Sequence, residues 1–166
     1  MLPFTVCPVG DTGLLVSFEQ RIAQSIGAAV AALNTRVAAA AIPGVVETVP
    51  AFATLLIFYE PLVTEYDAVV AAVQKLAQVP DSDTAAEEGR LVEIPVCYGG
   101  TFGPDLPFVA EHAGLTEKEV MELHAGREYR IYMLGFLPGF PYLGGLDERI
   151  HTPRLANPRI KINAGS

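Results

Sequence analysis

The chain has 166 residues, of which 51% are hydrophobic and 18% charged, and its net charge is -8. That apolar content supports a packed core and excludes a disordered chain, while the length admits one domain or two small ones. The acidic balance excludes general binding to nucleic acid or to an anionic membrane, since both need a basic surface.

In chain order, Phe4 to Phe18 reads as two short strands around a turn at Pro8-Val9-Gly10-Asp11-Thr12-Gly13. Glycine supplies positive φ there, and Asp11 reads as a turn former rather than a catalytic acid. Pro3, Pro8, Gly10 and Asp11 interrupt the N-terminus before a long apolar run develops, so no signal peptide is expected. A helix is predicted from about Arg21 to Ala40. Ile22, Ile26, Val30, Leu33 and Val37 are spaced by three or four residues and share one face. Ile42-Pro43-Gly44 ends it. Val45 to Val49 and Thr54 to Tyr59 read as strands. A second helix runs from about Glu65 to Gln78, with Tyr66, Val69, Val70, Val73 and Leu76 inward. Val37 to Ile42 and Leu55 to Tyr59 are far shorter than the roughly 20 residues that span a bilayer. A cytoplasmic location is expected, with no membrane partner.

The order β-β-α-β-β-α makes residues 1–80 a two-layer α+β domain, with helices on one face of a mainly antiparallel sheet. Residues 81–90 are acidic, lack an apolar period and read as a linker. From Leu91 the composition changes, and 10 of the 15 glycines, 7 of the 13 prolines and 7 of the 11 basic residues lie beyond it. Leu91 to Tyr98 reads as a strand and Asp105 as the cap of a short helix through Ala113. Thr116 with Glu119 has capping-box spacing for a helix ending near His124, and Glu128 to Leu134 returns to strand character. So few strands would leave open edges, so residues 91–166 are expected to open a β domain that is cut short or completed by a partner.

Cys7 and Cys97 match no metal-ligand spacing and are expected to be buried free thiols; no metal site is predicted. The densest chemical signal is Gly135-Phe136-Leu137-Pro138-Gly139-Phe140-Pro141-Tyr142. Glycine and proline at this density force a tight loop, offering bare N–H groups and aromatic walls to a flat or anionic ligand. A purely structural, aromatic-pinned loop is the competing reading. No Gly-Lys-Ser/Thr follows, so it is not a phosphate loop. Arg149, His151, Arg154, Arg159 and Lys161 come next, with no acidic residue between Arg149 and Ser166. Prolines precede Arg154 and Arg159 directly. Arginine suits carboxylate or phosphate recognition, so Gly135, Phe136, Pro138, Gly139, Phe140, Tyr142, Arg154, Arg159 and Lys161 form the expected substrate-binding set. A solvated basic edge is the alternative. His124, Arg154 and Lys161 are the candidate catalytic groups. A helix-terminal histidine more often interacts with the last carbonyls than it catalyses, which is the competing reading for His124, and His112 reads as a surface residue. No Ser-His-Asp elbow or His-Glu-x-x-His is present.

Ile94-Pro95-Val96-Cys97-Tyr98-Gly99-Gly100, Phe102-Gly103-Pro104-Asp105-Leu106, and Gly135 through Asp147 with Thr152-Pro153-Arg154 and Pro158-Arg159 closely resemble the KipI / allophanate hydrolase subunit 1 family. Gly10-Asp11, Pro43-Gly44-Val45 and Leu123-His124 with Tyr129 extend the resemblance over essentially the whole chain, although Asn163 stands where the family usually shows proline. The resemblance implies an N-terminal α+β domain followed by a cyclophilin-like β-barrel, here incomplete because members continue beyond Ala164-Gly165-Ser166. It also implies a subunit of an ATP-dependent 5-oxoprolinase complex, with ATP as co-substrate and a small anionic substrate. The implied partners are a homologous second carboxyltransferase-like subunit and a third, lactam-handling subunit, and the chain would be inactive alone. Within the same family lie a urea carboxylase/allophanate hydrolase-related role and inhibition of a sensor histidine kinase; these stay open.

Overall fold

The computed structural model describes residues 2–79 and 89–162. Residues 81–88 of the expected linker, Asn163 and the closing Ala164-Gly165-Ser166 lie outside the described residues. The chain divides into two compact units. The first comprises 1–89 with 131–142, and the second comprises 90–130 with 143–166. The partition therefore differs from a linear split near residue 90, because residues 131–142, with their aromatic turn, group with the N-terminal unit rather than with their sequence neighbours.

In the first unit, β1 (Thr5–Val9) and β2 (Gly13–Ser17) form a hairpin. α1 (Gln24–Ala40) then leads to β3 (Val45–Pro50), β4 (Thr54–Tyr59) and α2 (Tyr66–Ala77). The sheet order is β1-β2-β4-β3, antiparallel at every pairing. β4 thus enters between the strand that precedes α1 and the strand that follows it. Alternation in β4 sends Leu55, Ile57 and Tyr59 to the helix side, where they meet Leu14 and Val16 of β2. Ile26, Val30, Leu33 and Val37 of α1 and Val69 and Val73 of α2 close the layer. Burying each such side chain contributes about 1.5–3 kcal/mol. The α+β expectation holds, and β3 shifts register between Val45 and Glu47, leaving Val46 exposed.

Two expectations here need correction. α1 starts at Gln24, not Arg21, because Ala23 is extended (φ -146°, ψ 140°). Ile22 therefore lies outside the helix and is 62% exposed instead of joining the buried stripe. Cys7 is an exposed free thiol, not a buried one. It sits on edge strand β1 opposite Leu15, and directly opposed residues share a face; that face is opposite the one on which Leu14 and Val16 are buried.

In the second unit, α3 (Leu106–Ala113) and α4 (Glu117–Ala125) pack with a 3-10 helix, Glu148–Ile150. Leu106, Ala110, Val120 and Ile150 form a small core. Gly114 (φ 66°) stops α3, and the Leu115 N–H returns to the Ala110 carbonyl at 2.9 Å. The predicted capping box is present: Thr116 Oγ1 accepts from the Glu119 N–H (3.2 Å) while the Glu119 carboxylate accepts from the Thr116 N–H (2.8 Å). Leu91 to Tyr98 forms no strand. Among the described residues it finds no ladder partner, and Leu91, Val92, Ile94 and Val96 are more than half exposed. Cys97 lies in this unpaired segment and is likewise exposed. Beyond the four-stranded sheet, strand pairing among the described residues is limited to β5 (Arg130–Leu134) with β6 (Pro141–Gly144).

Candidate functional site

Gly135, Phe136, Pro138, Gly139 and Phe140 fall in one turn between β5 and β6, and Tyr142 follows in β6, so the structure brings this part of the predicted set together. Three backbone bonds shape it: Gly135 N–H to Phe140 O (3.1 Å), Leu137 N–H to Gly135 O (2.7 Å) and Phe140 N–H to Leu137 O (3.0 Å). The N–H groups of Phe136 and Gly139 have no partner among the described residues. Phe136 adopts left-handed backbone (φ 64°), a conformation that costs a side-chain-bearing residue about 1–2 kcal/mol, yet its ring is 85% exposed. Strain of this kind concentrates at ligand-handling loops.

A chain of aromatic contacts runs down from the turn. Phe140 meets Phe136 (centroids 6.1 Å) and Tyr142 (5.5 Å), and Phe52 meets Tyr142 (6.1 Å) and Tyr132 (5.1 Å). Phe52, in the β3–β4 connection, carries no signal in the sequence; nothing local marks a contact 80 residues away from Tyr132. Gly27 of α1 lets the segment approach, since a Cβ there would lie 2.9 Å from the Tyr132 ring.

The basic run, in the second unit, does not converge. Arg159 binds Asp105 with two guanidinium nitrogens, Nη1 to Oδ2 at 2.6 Å and Nη2 to Oδ1. This pairing holds the Asp105 carboxyl below its ordinary range. Asp105 precedes α3 as expected, but its side chain makes no cap hydrogen bond to the helix. Arg154 and Lys161 are exposed and form no ion pair among the described residues. Arg149 takes both oxygens of Asp147 (Nε to Oδ1 and Nη2 to Oδ2, each 2.9 Å), while its N–H also reaches Oδ1 at 3.0 Å. Arg127 adds a longer contact to Asp147 (3.7 Å) and donates to the Gly145 carbonyl (2.8 Å). These groups line an open cleft of about 520 Å³; Arg154, Arg159 and Lys161 do not line it. His151 follows the 3-10 helix and His112 is an exposed residue stacked on Phe108.

His124 lies in the last turn of α4 and is the one candidate catalytic group found in a built environment. The Tyr98 hydroxyl lies 2.6 Å from its Nδ1. The Tyr129 hydroxyl donates to its carbonyl at 2.9 Å. Both tyrosine rings pack on the imidazole, Tyr98 edge-on (5.7 Å) and Tyr129 tilted (5.3 Å). Burial raises the pKa of both hydroxyls. Tyr98 and Tyr129 stand out in the sequence only through the family motifs, because a pairing across 26 residues leaves no local period.

Comparison with known proteins covers nearly the same residues. The family model for the carboxyltransferase domain, subdomain C and D, matches residues 4–166. The chain is 38% identical to a 5-oxoprolinase subunit of Bacillus subtilis (strain 168), over 95% of this chain and 70% of that protein. With the corresponding 5-oxoprolinase subunit of Escherichia coli O157:H7 it shares 40% identity, over 95% of this chain and 71% of that protein. Among solved structures, TTHA0988 superposes with a TM-score of 0.73 at 34% identity, covering 89% of this chain but 28% of that longer one.

Proposed function

This chain belongs to the carboxyltransferase domain family, subdomain C and D, and from that membership we propose that it acts as a subunit of an ATP-dependent 5-oxoprolinase complex. The observation that carries the reading is its 38–40% identity, over 95% of its length, to proteins named as 5-oxoprolinase subunits. The implied reaction opens the lactam of 5-oxoproline to glutamate. Amide cleavage in that direction needs coupling, and ATP supplies it by phosphorylating the amide oxygen, which makes the carbonyl carbon open to water and phosphate a leaving group.

The partners are a homologous second carboxyltransferase-like subunit and a third, lactam-handling subunit, and the chain is inactive without them. Its own contribution is recognition. The Phe136–Tyr142 segment supplies aromatic walls, and N–H groups without a partner among the described residues, for the lactam ring. Arg154 and Lys161, exposed and without an ion pair among the described residues, are cations suited to a carboxylate or phosphoryl oxygen, whereas Arg159 is engaged by Asp105. Phosphoryl transfer is catalysed largely by such positioning and charge.

The test is reconstitution with both partner subunits and measurement of 5-oxoproline-dependent ATP hydrolysis. Activity that requires all three chains, and falls at least tenfold in Arg154→Ala, is expected. Activity with urea or allophanate and none with 5-oxoproline would overturn the reading, and full activity in Arg154→Ala would remove that residue from the site.

A further inference from the structure

The environment of His124 carries an inference that rests on this reading and deepens it. A tyrosine–histidine contact can run either way, with the phenol O–H donating to Nδ1 or with Nδ1–H donating to the phenol oxygen. The 2.6 Å separation is below the 2.7–3.2 Å range of N–H···O bonds, and hydroxyl donors make the shorter bonds, as O–H···O pairs at 2.5–3.0 Å show. So short a separation fits the phenol as donor and Nδ1 as acceptor, an arrangement that puts the proton of the neutral ring on Nε2.

The rest of the imidazole is equally constrained. Its ring contacts are Tyr98 and Tyr129, and its main chain is tied by the Tyr129 hydroxyl. Arg127 and Asp147 act electrostatically on Tyr129. Among the described residues Nε2 has no hydrogen-bond partner. Nor is it a sealed polar atom, because the only fully buried side-chain polar atom without a partner among those residues is Asn34 Oδ1. A half-buried histidine is thus held from one side, with its second nitrogen open.

We propose that Tyr98 fixes His124 as the Nε2–H tautomer, making the second unit present a neutral, oriented hydrogen-bond donor to a carbonyl or carboxylate oxygen of the substrate. Tyr98 is then a positioning residue. A donor preorganised in this way stabilises charge developing on an oxygen without reorganising during the reaction.

Nitrogen-15 NMR of the histidine-labelled full chain tests the tautomer, with His124 assigned by its loss in His124→Gln. At a pH where the ring is neutral, Nδ1 is expected at the acceptor position and Nε2 at the protonated one. Tyr98→Phe should admit the second tautomer, and sodium acetate, used as a carboxylate probe, should shift Nε2 in the parent chain. A protonated Nδ1 in the parent, or a tautomer indifferent to Tyr98→Phe, overturns the lock; no response of Nε2 to acetate overturns the donor site. In the reconstituted complex, His124→Ala should lower kcat for 5-oxoproline about a hundredfold, with His124→Gln, which retains an N–H, recovering part. Unchanged kcat in His124→Ala overturns the role in turnover. A complex without 5-oxoproline activity sinks the proposed reaction but leaves the NMR result standing on its own.

Discussion

Arg159 and Asp105, 54 residues apart, hold each other through two guanidinium nitrogens and both carboxylate oxygens. The pair fastens the chain after the 3-10 helix to the start of α3, within one unit. Arg159 is thus engaged by Asp105, unlike Arg154, which forms no ion pair among the described residues. Arg159→Lys, which keeps the charge but loses the fork, should lower the melting temperature in the same direction as Asp105→Asn, and the double variant should lose less than the sum. Additive losses in thermal unfolding would show that the two side chains act separately.

Gly27→Ala should detach the aromatic segment. The added methyl would lie 2.9 Å from two carbons of the Tyr132 ring, and overpacking of this sort costs about 1–3 kcal/mol. The expected outcome is a loss of that size in urea unfolding together with a changed near-ultraviolet circular dichroism spectrum. Combining it with Tyr132→Ala should restore part of the loss, since the obstructing ring is then gone.

Phe136→Gly separates stability from function in the turn. Glycine takes left-handed backbone without steric cost, and the ring it replaces is 85% exposed. Stability should stay level or rise by up to about 1 kcal/mol. Activity of the reconstituted complex should fall at least tenfold. A variant that is stable and fully active would make the turn purely structural.

Asp147 sets an acid limb to stability. Side-chain and then backbone hydrogen bonds from Arg149 hold its carboxyl well below the usual carboxylate range. A carboxyl that binds its proton less tightly when folded favours the folded state above its unfolded pKa of about 3.9, and that contribution is lost as pH falls through and below this value. Urea midpoints at about pH 5 and pH 3 should therefore differ less in Asp147→Asn than in the parent chain. An equal difference would rule out this carboxylate as a source of the acid sensitivity.

The core beneath α1 gives the largest expected loss. Leu33 is fully buried between helix and sheet, so Leu33→Ala should cost about 2–5 kcal/mol. Its exposed neighbour Thr35, in Thr35→Ala, should change little in the same urea titration.

What the sequence determined by itself is what rests on neighbours within a few residues. The stripe Ile26-Val30-Leu33-Val37, the alternation of β4 and the Thr116–Glu119 capping box are local patterns whose geometry follows from 3.6- and 2-residue periods. The Phe136–Tyr142 turn was legible for the same reason. Ile22 misled because its spacing fits the helix while the extended Ala23 removes it. Cys7 and Cys97 misled because burial statistics carry no information about which sheet face, or which unpaired segment, a residue occupies.

Only the tertiary structure decided which distant residues meet. It placed Arg159 on Asp105, Tyr98 on His124 and Phe52 on Tyr132; with Arg149 on its near neighbour Asp147, two arginines of the basic run are ion-paired while Arg154 and Lys161 are exposed. Such pairings are set by how packed elements bring remote backbone together, a property of the whole fold that no local run of side chains encodes. A candidate donor was thereby found at His124, where helix-end position alone had favoured carbonyl capping over catalysis.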